Sequence, residues 1–318
     1  MILKSRKLPK TIQTLQSIKN RLPDFHPSKQ EVEKELGQCL AGFHGEKSAD
    51  YYLSLIEPEP LIICDLRLKY RGMYFQIDTM LIFPQVIITF EVKYIKGTIE
   101  IKSHYDQTLR TLNGLEEGFP SFRLQAERQG ELLSKWLKHN CNLKIPIVSY
   151  VVMGNLKTIV KAENKEDLLH TIPMQAIPKT AHQLLSRYQN KKLSVKKALE
   201  IGEKLVSAHE ENMINWYKKF GISFNDLKKG FTCPNCTSFN ILRKSVKWWC
   251  DECGLQGQKI YKYAVEEVFL LLGEGLTNRQ FRLLFISTSP QSVKRLLRKM
   301  DLQRIGSGSA TKYYRRRD

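Results

Sequence analysis

The stretch FQIDTMLIFPQVIITFEVKYIKG, residues 75–97, admits few folds. Two largely apolar, β-branched runs flank Pro84 and Gln85, the composition of two paired strands with a turn between them. Residues equidistant from that turn oppose one another, so Asp78 is placed across from Glu91. Proline's fixed negative φ disfavours a primed two-residue turn, which favours a four-residue loop; the register is the same either way. Opposed carboxylates, with Cβ atoms about 4.5–5.5 Å apart, destabilise a sheet unless something positive lies between them. A divalent cation is the natural candidate. Glu91 and Lys93 share one strand face while Val92 points to the other, so three groups converge. Hard oxygen ligands that leave water on the ion suit Mg2+, which polarises a phosphoryl oxygen and lowers the pKa of a bound water. The ammonium of Lys93 would orient that water and offset charge at phosphorus. The plainer alternative is an Asp78 that ends a strand and a surface Glu91–Lys93 pair; the apolar flanks favour the site.

The neighbouring sequence builds an α/β unit around this hairpin. GEKSADYYLSLI sets Ala49, Tyr52, Leu53 and Ile56 at helical spacing, LIICDLRLKY reads as a strand, SFRLQAERQGELLSKWLKHN as a helix capped by Ser121, and IPIVSYVVM as a short buried strand. Glu46 shares a helical face with Ala49, Leu53 and Ile56, putting a carboxylate on the side meant for the core. Two explanations stand: a role at the metal, or an acid in the first helical turn favoured by the helix dipole. Gln125 shares a face with Phe122, Leu132 and Trp136; it either bridges to the acids or is an amide satisfied in the core.

Taken together, GE at 45–46, QID at 76–78, EVK at 91–93, Gly97 and the Gln125 helix resemble the nuclease-related domain family, NERD, of the restriction-endonuclease-like PD-(D/E)xK superfamily. The resemblance covers residues 43–153. It implies a central mixed sheet flanked by helices and Mg2+-dependent phosphodiester hydrolysis. By position, Glu46 corresponds to the helix acid, Asp78 and Glu91 to the metal-binding carboxylates, Lys93 to the catalytic lysine and Gln125 to the helix glutamine. Ile77 stands where the superfamily's name has proline, a position that supplies no ligand.

Four of the seven cysteines, Cys233, Cys236, Cys250 and Cys253, form two C-x-x-C pairs thirteen residues apart, the spacing of a closed, structural four-thiolate Zn2+ ribbon. The module resembles the zinc ribbons attached to topoisomerases. Arg243, Lys244 and Lys247 lie between the pairs beside Trp248 and Trp249, charge and aromatic faces of the kind that hold single strands; one tryptophan is also needed to pack against the knuckles. Residues 259–318 carry 13 Lys+Arg against 5 Asp+Glu. Their helix, turn, helix and final SPQSVKRLLRKM resemble a winged helix-turn-helix. Pro290 starts the last helix, Lys294, Arg295, Arg298 and Lys299 are positioned to meet phosphates, and Gly306 and Gly308 sit at a wing tip. A helical bundle with a solvated basic tail is the alternative.

The organisation expected over 318 residues is therefore an N-terminal arm (1–42) with a short helix near KQEVEKELGQCL, a nuclease-like domain (43–153), a helical connector (154–229) whose 193–220 stretch reads as one amphipathic helix, a zinc ribbon (230–258) and a winged helix (259–318). A net charge of +19 makes nucleic acid, DNA first, the expected partner. No apolar run approaches the roughly 18–20 residues of a membrane span, and the basic start has no apolar signal core, so a cytoplasmic protein is expected. The expected function is a Mg2+-dependent DNA endonuclease. Its rivals are a catalytically silent nucleic-acid-binding scaffold and, more weakly, an RNA-processing factor. Oligomeric state has no signature in the sequence.

Overall fold

The computed structural model describes residues 1–244, 247–285 and 289–316. Along the chain come β1 (Ile2–Lys4), α1 (Lys10–Arg21), α2 (Lys29–Leu53), β2 (Leu61–Tyr70), β3 (Met73–Ile82), β4 (Ile87–Lys93), β5 (Thr98–Lys102), β6 (Gln107–Leu112), β7 (Leu115–Pro120), α3 (Phe122–Cys141) and β8 (Ile147–Met153). There follow β9 (Ile159–Ala162), β10 (Thr171–Pro173), α4 (Ile177–Arg187), α5 (Val195–Ser207) and α6 (Trp216–Phe220). The chain ends with β11 (Ile241–Lys244), β12 (Lys247–Cys250), α7 (Gln258–Leu272), β13 (Leu276–Thr277), α8 (Asn278–Leu284), α9 (Pro290–Arg298), β14 (Leu302–Ile305) and β15 (Lys312–Arg315). Two compact units result: Met1–Leu8 with Cys39–Asn212, and Pro9–Gln38 with Met213–Asp318.

The first unit is built on a mixed six-stranded sheet of order β1-β2-β3-β4-β8-β10. Its continuous apolar runs require cover on both faces. On one face Ala49 and Leu53 of α2 and Ile177, Ala181 and Leu184 of α4 pack against Leu81, Ile88, Phe90 and Val92. On the other, Leu133, Trp136 and Leu137 of α3 and Ala198, Ile201 and Leu205 of α5 meet Leu66, Ile77, Met80 and Ile87. The expected mixed sheet flanked by helices is present. The β3–β4 register, Thr79 opposite Phe90 through Ile82 opposite Ile87, is the expected one, with a four-residue connection closed by the Phe83 N–H donating to the Val86 carbonyl.

A second sheet of order β7-β6-β5-β9 was not anticipated. Its signal was present in the sequence: Asn113 and Gly114 join β6 to β7 with both φ angles positive, 53° and 78°, as a primed hairpin turn demands.

Several segments fold differently from expectation. The opening residues expected as an arm supply β1, parallel to β2, and α1, while the short helix near residue 30 is the start of the 25-residue α2. Glu46 thus lies well inside a helix, and the dipole explanation for it falls away. Segment 154–229 is helical, yet it also provides β9 and β10, and its α4 and α5 are structural layers of the first unit. The long helix expected over 193–220 stops at Ser207 because the following backbone turns to the sheet: Arg67 N–H donates to His209 Nδ1 at 3.1 Å and Glu210 N–H to the Arg67 carbonyl at 3.0 Å.

The second unit contains the β11–β12 hairpin and a sheet of order β13-β15-β14 preceded by α7 and interleaved with α8 and α9, the helix-strand-helix-helix-strand-strand order of a winged helix. Ser289 caps α9 and Pro290 opens it. Val293, Leu296 and Leu297 are buried while Lys294, Arg295, Arg298 and Lys299 are exposed. A buried ion pair braces the unit: Arg21 of α1, fully buried, donates from Nε to Glu267 Oε1 of α7 at 2.9 Å and from its Nη2 to Oε2 at 2.6 Å.

Gly45 is where close approach decides the residue type. A Cβ there would stand 2.2 Å from Tyr94 Cβ and 2.6 Å from its Cγ, atoms too near the backbone to swing away. Gly45→Ala gains about 1 kcal/mol of helix propensity but overpacks, at about 1–3 kcal/mol. We expect a net loss of stability, read as a lower midpoint in thermal unfolding.

Candidate active site and metal centre

The site begins where the sheet changes phase. Ile63, Leu66 and Leu68 of β2 lie in one core cluster although an odd position is followed by even ones; on β3, Phe75 and Ile77 share that cluster with Met80 and Ile82. The side-chain phase therefore changes between Ile63 and Leu66 on β2 and between Ile77 and Met80 on β3. Asp65 takes a left-handed φ of 51°, and the β2–β3 ladder runs from Cys64–Thr79 to Leu66–Ile77 without an Asp65–Asp78 pair. On the other side, the β3–β4 ladder stops at Thr79–Phe90, one step short of Asp78 and Glu91.

Side chains satisfy the backbone this lapse releases. Asp78 Oδ2 accepts the Val92 N–H at 2.8 Å, and the Asp78 carbonyl accepts from Arg6 Nη1 at 3.2 Å. Lys4 Nζ donates to the carbonyls of Cys64 at 3.0 Å and Asp65 at 2.6 Å, and Gln76 Nε2 donates to Asp65 Oδ1 at 2.8 Å.

Glu91 and Lys93 lie together on β4, and of the two alternatives for Gln125 the side chain takes the one that reaches them. Glu91 Oε1 accepts from Lys93 Nζ at 2.7 Å and from Gln125 Nε2 at 2.8 Å, while Gln125 Oε1 accepts from Lys93 Nζ at 3.1 Å. Lys93 also sits 4.9 Å from the centre of the Phe122 ring. The other carboxylate oxygen, Glu91 Oε2, is buried with no hydrogen-bond partner. Burial first, then the neighbouring Glu91 and Glu46 carboxylates, push the Asp78 carboxyl well above the usual range. Burial likewise raises Glu46 to about 7, against the pull of Arg6, whose Nη1 donates to Glu46 Oε2 at 2.5 Å.

Arg6 had no distinguishing signal in a basic opening segment. Its side chain is 1% exposed, and besides Glu46 and the Asp78 carbonyl it reaches Thr79 Oγ1 at 2.7 Å from Nη2 and Asp50 Oδ1 at 3.4 Å from Nε.

Comparison with known families bears directly on this segment. Residues 41–154 match the model of the nuclease-related domain, NERD. That stretch is a nuclease-related domain. Searches of curated proteins and of solved structures return no match. The matched residues of the nuclease-related domain include Glu46, Asp78, Glu91, Lys93 and Gln125, but neither Arg6 nor Lys4.

The nuclease-related domain's carboxylates do not close into a tight cage. Among the described residues, the group of three or more ligand atoms lying within 4.8 Å of one another is the cysteine quartet, not Glu46, Asp78 and Glu91. In that quartet Cys233 and Cys253 Sγ are 3.6 Å apart and Cys236 and Cys250 Sγ 3.5 Å, close to the roughly 3.8 Å edge of a tetrahedron with Zn–S bonds near 2.3 Å. The arrangement is consistent with a zinc site. β11 and β12 pair from Ile241–Cys250 to Lys244–Lys247, bringing the knuckles together. Trp248 packs on Phe231 at 4.3 Å between ring centres, and Phe231 stacks on Phe285 at 4.2 Å, so Trp248 serves the module's core. Arg243 and Lys247 are exposed; the Lys244 side chain lies outside the described residues. Among the described residues, no helix is long and apolar enough to cross a membrane.

The quartet generates a direct expectation: purified protein carries zinc at a ratio near one per chain by elemental analysis. Cys250→Ser should lose it and lower the unfolding midpoint, because a closed zinc site contributes folding free energy outright.

Proposed function

We propose that the protein is a Mg2+-dependent nuclease that hydrolyses phosphodiester bonds in DNA. The observation that carries this reading is Glu91, with one oxygen tied to Lys93 and Gln125 and the other buried without a partner. An orphaned oxygen beside an Asp78 carboxyl raised by burial and then by its acidic neighbours is the imbalance a cation between the two would relieve. Asp78 and Glu91 would hold the ion, with water completing its shell. Bound there, Mg2+ supplies polarisation of a phosphoryl oxygen and a more acidic attacking water. Lys93 brings positive charge to the nucleophile and to the charge developing at phosphorus. Gln125 holds Glu91 and Lys93 in register with each other. Glu46 adds a nearby carboxylate able to order water or take a proton near neutral pH.

DNA would be held by Lys294, Arg295 and Arg298 on α9, by Lys299 at its C-terminal cap, and by Arg243, Lys244 and Lys247 of the zinc ribbon. Such contacts go to phosphates and give affinity without sequence preference. Zinc at the cysteine quartet is structural, since four thiolates leave no open position. Cysteines kept as thiols suit a reducing compartment, which supports a cytoplasmic location.

A second reading, a nucleic-acid-binding scaffold without turnover, is favoured by one feature: Lys93 directs hydrogen bonds inward to Glu91 and Gln125. Cleavage separates the two. Wild type should nick supercoiled plasmid with Mg2+ and not with chelator. Lys93→Ala should cut roughly 10²–10³-fold more slowly, the usual cost of removing a preorganised charge-stabilising donor, and Asp78→Ala should abolish nicking. Intact plasmid under conditions of demonstrated binding would favour the scaffold.

Binding itself should be salt-dependent. Replacing Lys294, Arg295, Arg298 and Lys299 by alanine should weaken DNA binding uniformly across sequences. It should also flatten the dependence of log K on log salt by about 0.9 for each phosphate no longer neutralised. Filter binding across a salt series reads both.

A further inference from the structure

We infer that Arg6 is a positioning residue for the proposed hydrolytic centre, fixing Glu46 and the backbone at Asp78 together, so that a residue outside the matched segment 41–154 completes the site. This rests on the reading of Glu46, Asp78 and Glu91 as the acids of that centre.

The geometry is that of a buried fork. Nη1 reaches the Glu46 carboxylate and the Asp78 carbonyl at once, Nη2 reaches Thr79 Oγ1, and Nε reaches Asp50 on the helix turn after Glu46. One planar group thus joins α2 to β3 at the step where neither neighbouring ladder pairs with Asp78. A structural ion pair needs one acid and no particular place in the sheet. Arg6 instead occupies the gap in pairing at Asp78, and it holds Oε2 of Glu46. Lysine, a point charge on a flexible stem, cannot make these bonds simultaneously. Delivery of the fork is also explained: β1 runs parallel to β2 with Ile2 beside Ile62 and Lys4 beside Ile63, and Lys4 is anchored to the Cys64 and Asp65 carbonyls just before Arg6.

Partners that orient ligands of a metal commonly change its affinity or the activity by roughly 10–100-fold when removed. The test uses the full chain as wild type, Arg6→Gln, Arg6→Lys, Glu46→Gln and the Arg6→Gln/Glu46→Gln double variant. It measures the Mg2+ concentration giving half-maximal thermal stabilisation, and separately that for half-maximal plasmid nicking. Arg6→Gln should raise both midpoints by roughly 10–100-fold, with only partial recovery in Arg6→Lys. In the Glu46→Gln background the added effect should be smaller than in the wild-type background, because the part of the Arg6 effect that runs through Glu46 is already lost and only the part through the Asp78 backbone remains. If Arg6→Gln does not fold, Arg6→Lys alone and in the Glu46→Gln background makes the same comparison. Wild-type midpoints in both Arg6 variants, an equal added shift with or without Glu46, or no Mg2+ stabilisation of wild type would each overturn the assignment. A wild type that binds Mg2+ with a midpoint set by Arg6 and Glu46, yet leaves plasmid intact, keeps Arg6 in this role and defeats the nuclease reading instead.

Discussion

A carboxylate in the middle of a sheet is tolerable only if the sheet gives way around it, and at Asp78 it does so on both sides. The β2 ladder skips the Asp65–Asp78 step through a left-handed aspartate, and the β4 ladder ends before Glu91. What would be two lapsed rungs is made good by Arg6, Lys4, Gln76 and the Asp78 carboxylate itself. The change of phase also sorts the core. Above the step Ile62, Cys64 and Leu81 face α2 and α4; below it Leu66, Leu68, Phe75 and Ile77 face the α3 and α5 side. The setting of the Asp78 carboxylate and the change in which residues face each helical layer therefore go with one irregularity in pairing.

The two units repeat a common solution with different parts. Each takes a nearly inaccessible arginine from the first 21 residues and matches it with acids supplied from a distance in sequence: Arg6 with Glu46 and Asp50, Arg21 with Glu267. Breaking such a pair leaves an uncompensated buried charge, at a cost of about 3–5 kcal/mol. The opening segment is thus structural in both units despite a composition that resembles a solvated arm. Their other demands differ. The first unit has enough apolar surface to cover a six-stranded sheet on both faces, while the cysteine module has a core of a few side chains, with Trp248 and Phe231 packed beside the cysteine cluster.

How much of this was legible follows the range over which each signal acts. The β3–β4 register needed only a turn at Pro84–Gln85 and a period of two. The Glu91–Lys93 pairing on one face followed from strand alternation, and the cysteine quartet from its own spacing, whereas helical spacing left Gln125 open between the acids and the core. The Asn113–Gly114 hairpin signal is equally local, resting on two adjacent residues that take positive φ. Arg6 was not readable, because a buried arginine and a solvated one have the same neighbours in LKSRKLPK. The end of α5 at Ser207 was hidden for a related reason: the helical pattern continues, but the backbone after it is claimed by Arg67, 142 residues away along the chain.

By itself, then, the sequence determined the short-range geometry: which strands pair and in what register, which acids fall on one face, which thiols can meet. Only the tertiary structure decided how the buried charges are balanced, which ladder rungs are missing and which distant residues fill them. The physical reason is that periodicity is a property of a few successive residues, whereas desolvation of a charge depends on everything brought around it.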